Sequence, residues 1–299
     1  MPELRYCKAC GNQDLNSLKQ IYEIDGYDVL KCQVCGFVYI DNPALTEVHS
    51  EVFYDPGTVE THDRYKDTLM AVAESHWEDI QRLGIEEGSS ILDFGCGNGY
   101  FLSIAQNHGM KALGLEINKA AAEYGEEKLG VEIVAEPPPY PSLRGMKFDV
   151  ITMWGVIEHL PKPSFVLEFL RSHMHESSWL VIHTPSEDAL VRKAVHLLNR
   201  MMGSQWLASS MYQSTPGSHT QCFSRKSIRA LLERLGFQIE RIEDATYGFR
   251  YMVKKPGFEG GSVKARLKRA IAFVGYILSF IGHKNHMVVY ARIKKEDKI

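Results

Sequence analysis

The sequence predicts an α/β fold: a doubly wound parallel sheet of seven strands, preceded by a small metal-stabilised module. Three observations carry this. From about residue 90 onwards short apolar runs alternate with amphipathic helical stretches, the pattern of strand–helix–strand units whose sheet is covered on both faces. The first unit contains Asp93-Phe94-Gly95-Cys96-Gly97-Asn98-Gly99, three glycines within five residues between a strand and a helix. Ahead of it stand two C-x-x-C-G knuckles, Cys7 to Gly11 and Cys32 to Gly36.

Each knuckle turns two thiolates toward one ion, and the glycine permits the tight turn beneath them. Cys7, Cys10, Cys32 and Cys35 complete a closed tetrahedral set, which favours one structural Zn²⁺ over a catalytic one. Between the knuckles, Ile21–Ile24 and Tyr27–Lys31 flank Asp25-Gly26, a hairpin signal. Residues 1–45 therefore read as a zinc ribbon, too small to fold on its own core and stabilised largely by its metal. Residues 46–88 read as a helical linker. Leu69, Val72, Ala73, Trp77, Ile80 and Leu83 recur at helical spacing across a predicted helix from Arg64 to Leu83.

Residues 89–299 form the main domain. Its strands are predicted at 91–94, 112–117, 131–135, 148–153, 179–183, 237–243 and 286–292. The helices between them fall at 100–107, 118–129, 164–174 and 225–235. Two insertions interrupt the alternation. Residues 187–221 carry an amphipathic helix with Leu190, Ala194, Leu197, Leu198 and Met201 on one side. Coming after the fifth strand, this helix is a candidate lid or an ordinary packed helix. Residues 256–285 carry Lys264, Arg266, Lys268 and Arg269, followed by an uncharged, mostly apolar stretch from Ala270 to Gly282. Apolarity on nearly all sides requires a cover. Packing within the protein or dimerisation through 264–283 is the first expectation, and peripheral contact with a membrane surface is the second.

Apolar residues make up 44% and charged residues 24% of the 299, with a formal net charge of −3, so nothing suggests a general polyanion binder. The N-terminus has no signal-like apolar run, and no stretch of twenty apolar residues exists. Six cysteines spaced for metal rather than disulfides suit a reducing cytoplasm. Cys96 falls outside the zinc set and reads as a small packing residue.

The glycine turn allows a ligand to approach backbone where a Cβ would stand in the way, at the carboxyl end of a first strand. The dinucleotide fingerprint requires a glycine at position 100, and Tyr100 stands there. The motif present is D-x-G-x-G-x-G, and it resembles motif I of the class I S-adenosylmethionine (SAM) methyltransferases. An acid at Asp93 suits a cationic sulfonium and amino group better than a pyrophosphate. Glu116 ends the second strand about twenty residues on, where a carboxylate accepts ribose hydroxyls. The resemblance implies a cofactor set of Asp93, Gly95, Gly97, Gly99 and Glu116. It adds Ile117, Glu136, Met153 and Trp154 at the ends of the second, third and fourth strands. It also implies a last strand inserted antiparallel, a Rossmann-like methyltransferase sheet, and a cofactor covered by the helical linker of residues 46–88.

Past the fourth strand, Val156-Ile157-Glu158-His159-Leu160-Pro161-Lys162-Pro163 is similar to a signature of a broad methyltransferase group that includes ubiquinone-biosynthesis O-methyltransferases. His183-Thr184-Pro185 and His219 to Ser224 resemble two further blocks of that group. Some relatives hold a divalent metal with E-x-x-E-H and a distal histidine. Here Glu158, His159 and His219 match, while Gly155 replaces the first glutamate. Three roles stay open for this trio: metal ligands, acid–base groups, or caps of the next helix. The resemblance implies a SAM-dependent methyltransferase acting on a small-molecule, glycan or lipid-linked acceptor, with O-methylation first. An RNA methyltransferase whose ribbon grips nucleic acid is disfavoured by the acidic charge. A non-catalytic partner protein of the same fold is disfavoured by the intact glycine turn.

Overall fold

The computed structural model describes residues 6–42, 56–202, 211–212, 219–246 and 263–295. The ribbon begins with strands β1 (Leu18–Ile24) and β2 (Tyr27–Cys32), paired antiparallel around Asp25 and Gly26. Both turn residues have positive φ (53° and 81°), the handedness that matches the twist of the two strands. Strand β3 (Val38–Ile40) adds to β2. The helix expected from Arg64 to Leu83 is two helices, α1 (Pro56–Arg64) and α2 (Lys66–Gln81). They break at Tyr65, whose φ of −105° and ψ of 17° lie outside the helical basin.

The alternating region follows the prediction closely. It comprises β4 (Ser90–Phe94), α3 (Tyr100–Asn107), β5 (Lys111–Glu116), α4 (Lys119–Tyr124) and β6 (Glu132–Ala135). Gly125–Leu129 prolongs α4 as a π-helical turn, so the helix predicted over 118–129 is continuous but changes pitch. Next come β7 (Phe148–Trp154), α5 (Pro163–Ser172), β8 (Met174–Pro185) and α6 (Leu190–Met202). The chain then forms β9 (Gln221–Cys222), α7 (Arg225–Arg234), β10 (Phe237–Ala245), α8 (Val263–Leu278) and β11 (His286–Ile293).

Seven strands make the main sheet in the order β10-β11-β8-β7-β4-β5-β6. The five from β8 to β6 in that order are parallel, and β11 lies antiparallel between β8 and β10. This is the Rossmann-like arrangement expected, with the last strand inserted as the resemblance implied. Successive residues feed opposite layers. Ile91, Val150 and Val181 pack toward α2 and α3, whereas Leu92, Ile151 and Ile182 pack toward α5, α7 and the ribbon.

The ribbon is sewn into the main domain rather than appended to it. Strand β9 pairs with β3 through Val38–Cys222 and Tyr39–Gln221, giving a second sheet in the order β1-β2-β3-β9. Phe37 and Phe223 meet with ring centroids 4.8 Å apart. Arg234 of α7 donates to the carbonyls of Lys8 and Ala9, each at 3.2 Å, which are backbone groups of the first knuckle.

A second tie runs through Glu187, just past β8. Its buried carboxylate faces Lys31 (3.2 Å) and His196 Nε2 (3.0 Å), lies 3.7 Å from Arg192, and accepts from the Tyr212 hydroxyl (2.8 Å). Burial pushes this acid up, but His196, Arg192 and Lys31 outweigh it and hold it at about 2. Because Nε2 of His196 donates to Glu187, Nδ1 is left to accept from the Tyr22 hydroxyl at 2.5 Å. Strands β1 and β2 are thereby joined to helix α6. The apolar side of α6 is only partly covered: Leu190 and Val191 meet α8, whereas Leu197, Leu198 and Met201 are exposed. The uncharged part of α8 likewise leaves Phe273, Val274 and Ile277 exposed.

Ser224 caps α7 in a full capping box with Ser227, and its hydroxyl donates to the Cys35 carbonyl at 2.9 Å. Ser224→Ala removes both the cap and a bond between domain and ribbon. We expect it to lower stability by about 1–2 kcal/mol, read as a lower urea midpoint at unchanged denaturant slope.

Candidate functional site

The site lies at the carboxyl ends of β4, β5 and β7, where the parallel strands release the chain into loops. Gly95 takes φ +74°, and a Cβ there would fall 2.7 Å from Val156, so the turn after β4 and the turn after β7 are in direct contact. Gly97 has φ +54° and open space where its Cβ would be, the one edge of this turn left clear for a ligand. Gly99 takes φ +79° and caps α3 without a side chain, leaving that helix's first N–H groups facing the turn. Cys96 packs against Gly114, as a small filler should.

Two carboxylates flank the turn. Asp93 is buried and accepts from the Thr152 hydroxyl at 2.7 Å. Burial pushes its carboxyl up to about 7, with Thr152 opposing and Glu116 adding to the shift. Glu116 is also raised by burial, opposed by the N–H groups of Asn118 and Gly97, each 2.8 Å from a carboxylate oxygen. Among the described residues, no cation contributes to either shift. A buried and a half-buried acid with no counter-charge among the described residues, beside open backbone, suit a ligand carrying positive charge and hydroxyl donors. A sulfonium, an amino group and a ribose fit this description.

The remaining expected contacts have varied settings. Ile117 is half-buried beside Glu116. Glu136 accepts from the backbone and hydroxyl of Ser142, at 3.0 and 2.9 Å. Met153 is fully buried in the layer toward α5. Trp154 stacks on His76 of α2, with centroids 4.0 Å apart, and is edge-on to Phe101. Sequence reasoning did not single out three further groups near the turn. Asn98 lies within it and has a buried Nδ2 that lacks a hydrogen-bond partner. His62 of α1 faces Asn98, and its carbonyl accepts from Tyr100. Tyr140 sits close enough to Glu116 and Glu136 for both to raise its hydroxyl further, after burial. The signal for Asn98 was its place in the motif; for His62, only the general expectation that a helix covers the cofactor.

On the acceptor side, Glu158, His159 and His219 bring one ligand atom each within 4.8 Å of one another. The two imidazoles are 4.9 Å apart and edge to face. Glu158 is buried, accepts from Thr184 at 3.0 Å, and is raised by burial against the opposing pull of His159. His219 is delivered from far along the chain. Next to it, Thr220 and Gln221 donate to the carbonyls of Glu158, Ile157 and Leu160. A Cβ at Gly155 would stand 3.6 Å from Glu158 Oε1, so the position that lacks a carboxylate does face the trio.

In the ribbon, Cys7 and Cys35 place their sulfurs 3.6 Å apart, and Cys10 and Cys32 place theirs 3.8 Å apart. All four cysteines are free thiols within 4.8 Å of one another. Tetrahedral zinc with Zn–S bonds of about 2.3 Å separates its sulfurs by about 3.8 Å, so the four fit a zinc site.

A family profile for the methyltransferase domain matches residues 63–242, more than half of the chain. The chain belongs to the methyltransferase domain family. It is 24% identical over 134 residues to a ubiquinone biosynthesis O-methyltransferase of Paraburkholderia xenovorans, covering 43% of this chain and 56% of that protein. Over 118 residues it is 30% identical to sphingolipid C9-methyltransferase B of Emericella nidulans, covering 37% of this chain and 22% of that one. The match thus spans about half, or less, of these relatives' lengths. Among solved structures, the magnesium protoporphyrin IX methyltransferase of Synechocystis, with bound SAH, superposes with a TM-score of 0.53 at 15% identity, covering 82% of this chain and 98% of that one. The fold is that of the class I SAM-dependent methyltransferases.

Asp93 supplies a pH-dependent readout of cofactor binding. An acid whose folded value is raised stabilises the cofactor-free protein fully below its unfolded value, and that contribution is lost as pH rises through about 7. A cation bound beside it favours the ionised form. SAM binding at about pH 6 should therefore release close to one proton, and near none above about pH 8. Calorimetry in buffers of differing ionisation enthalpy measures this, and Asp93→Asn should abolish the release.

Proposed function

We propose that this protein uses SAM to methylate an oxygen of a small-molecule, glycan or lipid-linked acceptor. The observation that carries this reading is the Glu158–His159–His219 cluster, two of whose members follow the turn that packs against the glycine loop. When bound, SAM supplies a methyl group already activated by its sulfonium. The protein's task is then orientation, exclusion of water and removal of the acceptor's proton. Asp93 and Glu116 hold the positive and hydroxyl-bearing parts of the cofactor, and Gly97 leaves room for it. His159 or His219 takes the hydroxyl proton, and Glu158, fixed by Thr184, orients the histidine pair. The relatives named as a ubiquinone-biosynthesis O-methyltransferase and a sphingolipid methyltransferase support acceptors of small-molecule or lipid character.

A second reading is favoured by the spacing of the same three ligand atoms, which fits one divalent cation, with the space beside Gly155 open to water or acceptor oxygens. The cation would then hold the acceptor oxygen and lower its pKa. Turnover of methyl-labelled SAM with fractionated lysate identifies the acceptor class. With that acceptor, His159→Ala and His219→Ala should each lower kcat/KM by about 10²–10⁴-fold while SAM affinity stays unchanged. Loss of activity on chelation, restored by Mg²⁺ or Mn²⁺, selects the metal reading, and indifference to chelator selects the acid–base one.

For Cys7, Cys10, Cys32 and Cys35 we infer one structural Zn²⁺. Metal analysis should return about one zinc per chain. Cys32→Ser should lose it and lower the melting temperature, because the knuckles belong to the same buried cluster as α5 and α7.

A further inference from the structure

We propose that α6 and α8 together form a docking surface for an anionic lipid bilayer. Of the thirteen large apolar side chains exposed among the described residues, eight lie on α6, α8 and the turn after α8. Met201, Phe280 and Ile281 are 74%, 67% and 75% exposed. The two helices are neighbours. Gly275 of α8 faces Val191 of α6 at Cβ distance 3.4 Å, Gly282 faces Leu190 at 3.4 Å, and the Leu190 N–H donates to the His283 carbonyl. The neighbouring helices together expose apolar surface of a kind that water-facing regions rarely carry without a partner.

Charge identifies the partner. In a chain with 37 acids against 34 Lys and Arg, neither helix contains an acid. Helix α6 carries Arg192, Lys193 and Arg200, and α8 carries Lys264, Arg266, Lys268 and Arg269. Arg192 faces Glu187, while Lys193, Arg200 and Arg266 are exposed on the same two helices as the apolar side chains. A second copy of the chain seated on this face by two-fold symmetry would set cation against cation. An anionic membrane interface accepts both components, with the apolar side chains at the acyl boundary and the long basic ones reaching back to the headgroups. Helix α8 has 16 residues, about 24 Å, and no helix among the described residues is long and apolar enough to cross a membrane, so the contact lies in the plane of the interface. The surface is close to the acceptor side, because α6 starts five residues past β8 and is tied to it by Glu187. Docking through this surface is independent of which acceptor is methylated.

The test is co-sedimentation of the full chain, at low salt, with vesicles of phosphatidylcholine alone and of phosphatidylcholine with phosphatidylglycerol. The expected result is binding to the anionic vesicles, weakened roughly tenfold or more by raising salt or by the fourfold variant Lys264→Gln, Arg266→Gln, Lys268→Gln, Arg269→Gln. The exposed variant Phe273→Ser, Ile277→Ser, Phe280→Ser should also release the protein while its thermal transition and SAM affinity stay unchanged. Absence of binding to anionic vesicles overturns the proposal, as does binding that survives both variants. A dimer that dissociates in the apolar variant, without vesicle binding, would assign the patch to a second copy instead.

Discussion

The contact between Gly95 and Val156 is the constraint on which the site depends. Parallel strands β4 and β7 are neighbours in the sheet, so their carboxyl ends emerge side by side, and any side chain at position 95 would wedge the two turns apart. With glycine there, the loop that accepts a cofactor and the loop that carries Glu158 and His159 share one boundary. Orientation is the larger part of what a methyl-transfer site must supply, because the methyl donor is already reactive. A 1 Å displacement at this boundary would act on both partners of the reaction at once.

Burial then sets the chemistry on each side. Asp93 and Glu116 are shifted upward by desolvation, and no cation among the described residues appears beside them to oppose it. Such a setting disfavours their ionised forms, and a cationic ligand beside them would offset that cost. Glu187 shows the opposite outcome of the same burial. Surrounded by His196, Arg192 and Lys31, it stays ionised and works as a structural node. Glu187 differs from Asp93 and Glu116 chiefly in the cations that the described residues set around it.

The ribbon is more closely coupled to the site than its size suggests. Strand β9 pairs with its edge, and the residues immediately before β9 include His219 and Thr220. Whatever organises the cysteines therefore also holds the segment that carries the distal histidine. Tyr22 and Lys31 reach Glu187 and α6 from the same module. A structural metal in the ribbon would act on the site through this shared sheet, without entering the reaction itself.

Local patterns in the sequence were enough to determine most of the elements, the glycine turn and the four-cysteine set. Each depends on residues only a few positions apart: strand and helix periodicity, left-handed φ at glycine, and the reach of a C-x-x-C knuckle. Where local geometry had a competing option, the reading was coarser, as at the break at Tyr65 and the π-helical end of α4. The tertiary structure alone decided the pairing of β9 with the ribbon, the meeting of His219 with His159, and the approach of His62 to Asn98. These contacts join segments tens of residues apart, and no periodicity encodes them. It also decided that the apolar sides of α6 and α8 face outward, since a hydrophobic stripe signals that something must cover it but not what. The turn at Asp93–Gly99 was legible from the start as a cofactor loop. That it shares a wall with the acceptor loop is a property of strand order, which only the folded sheet displays.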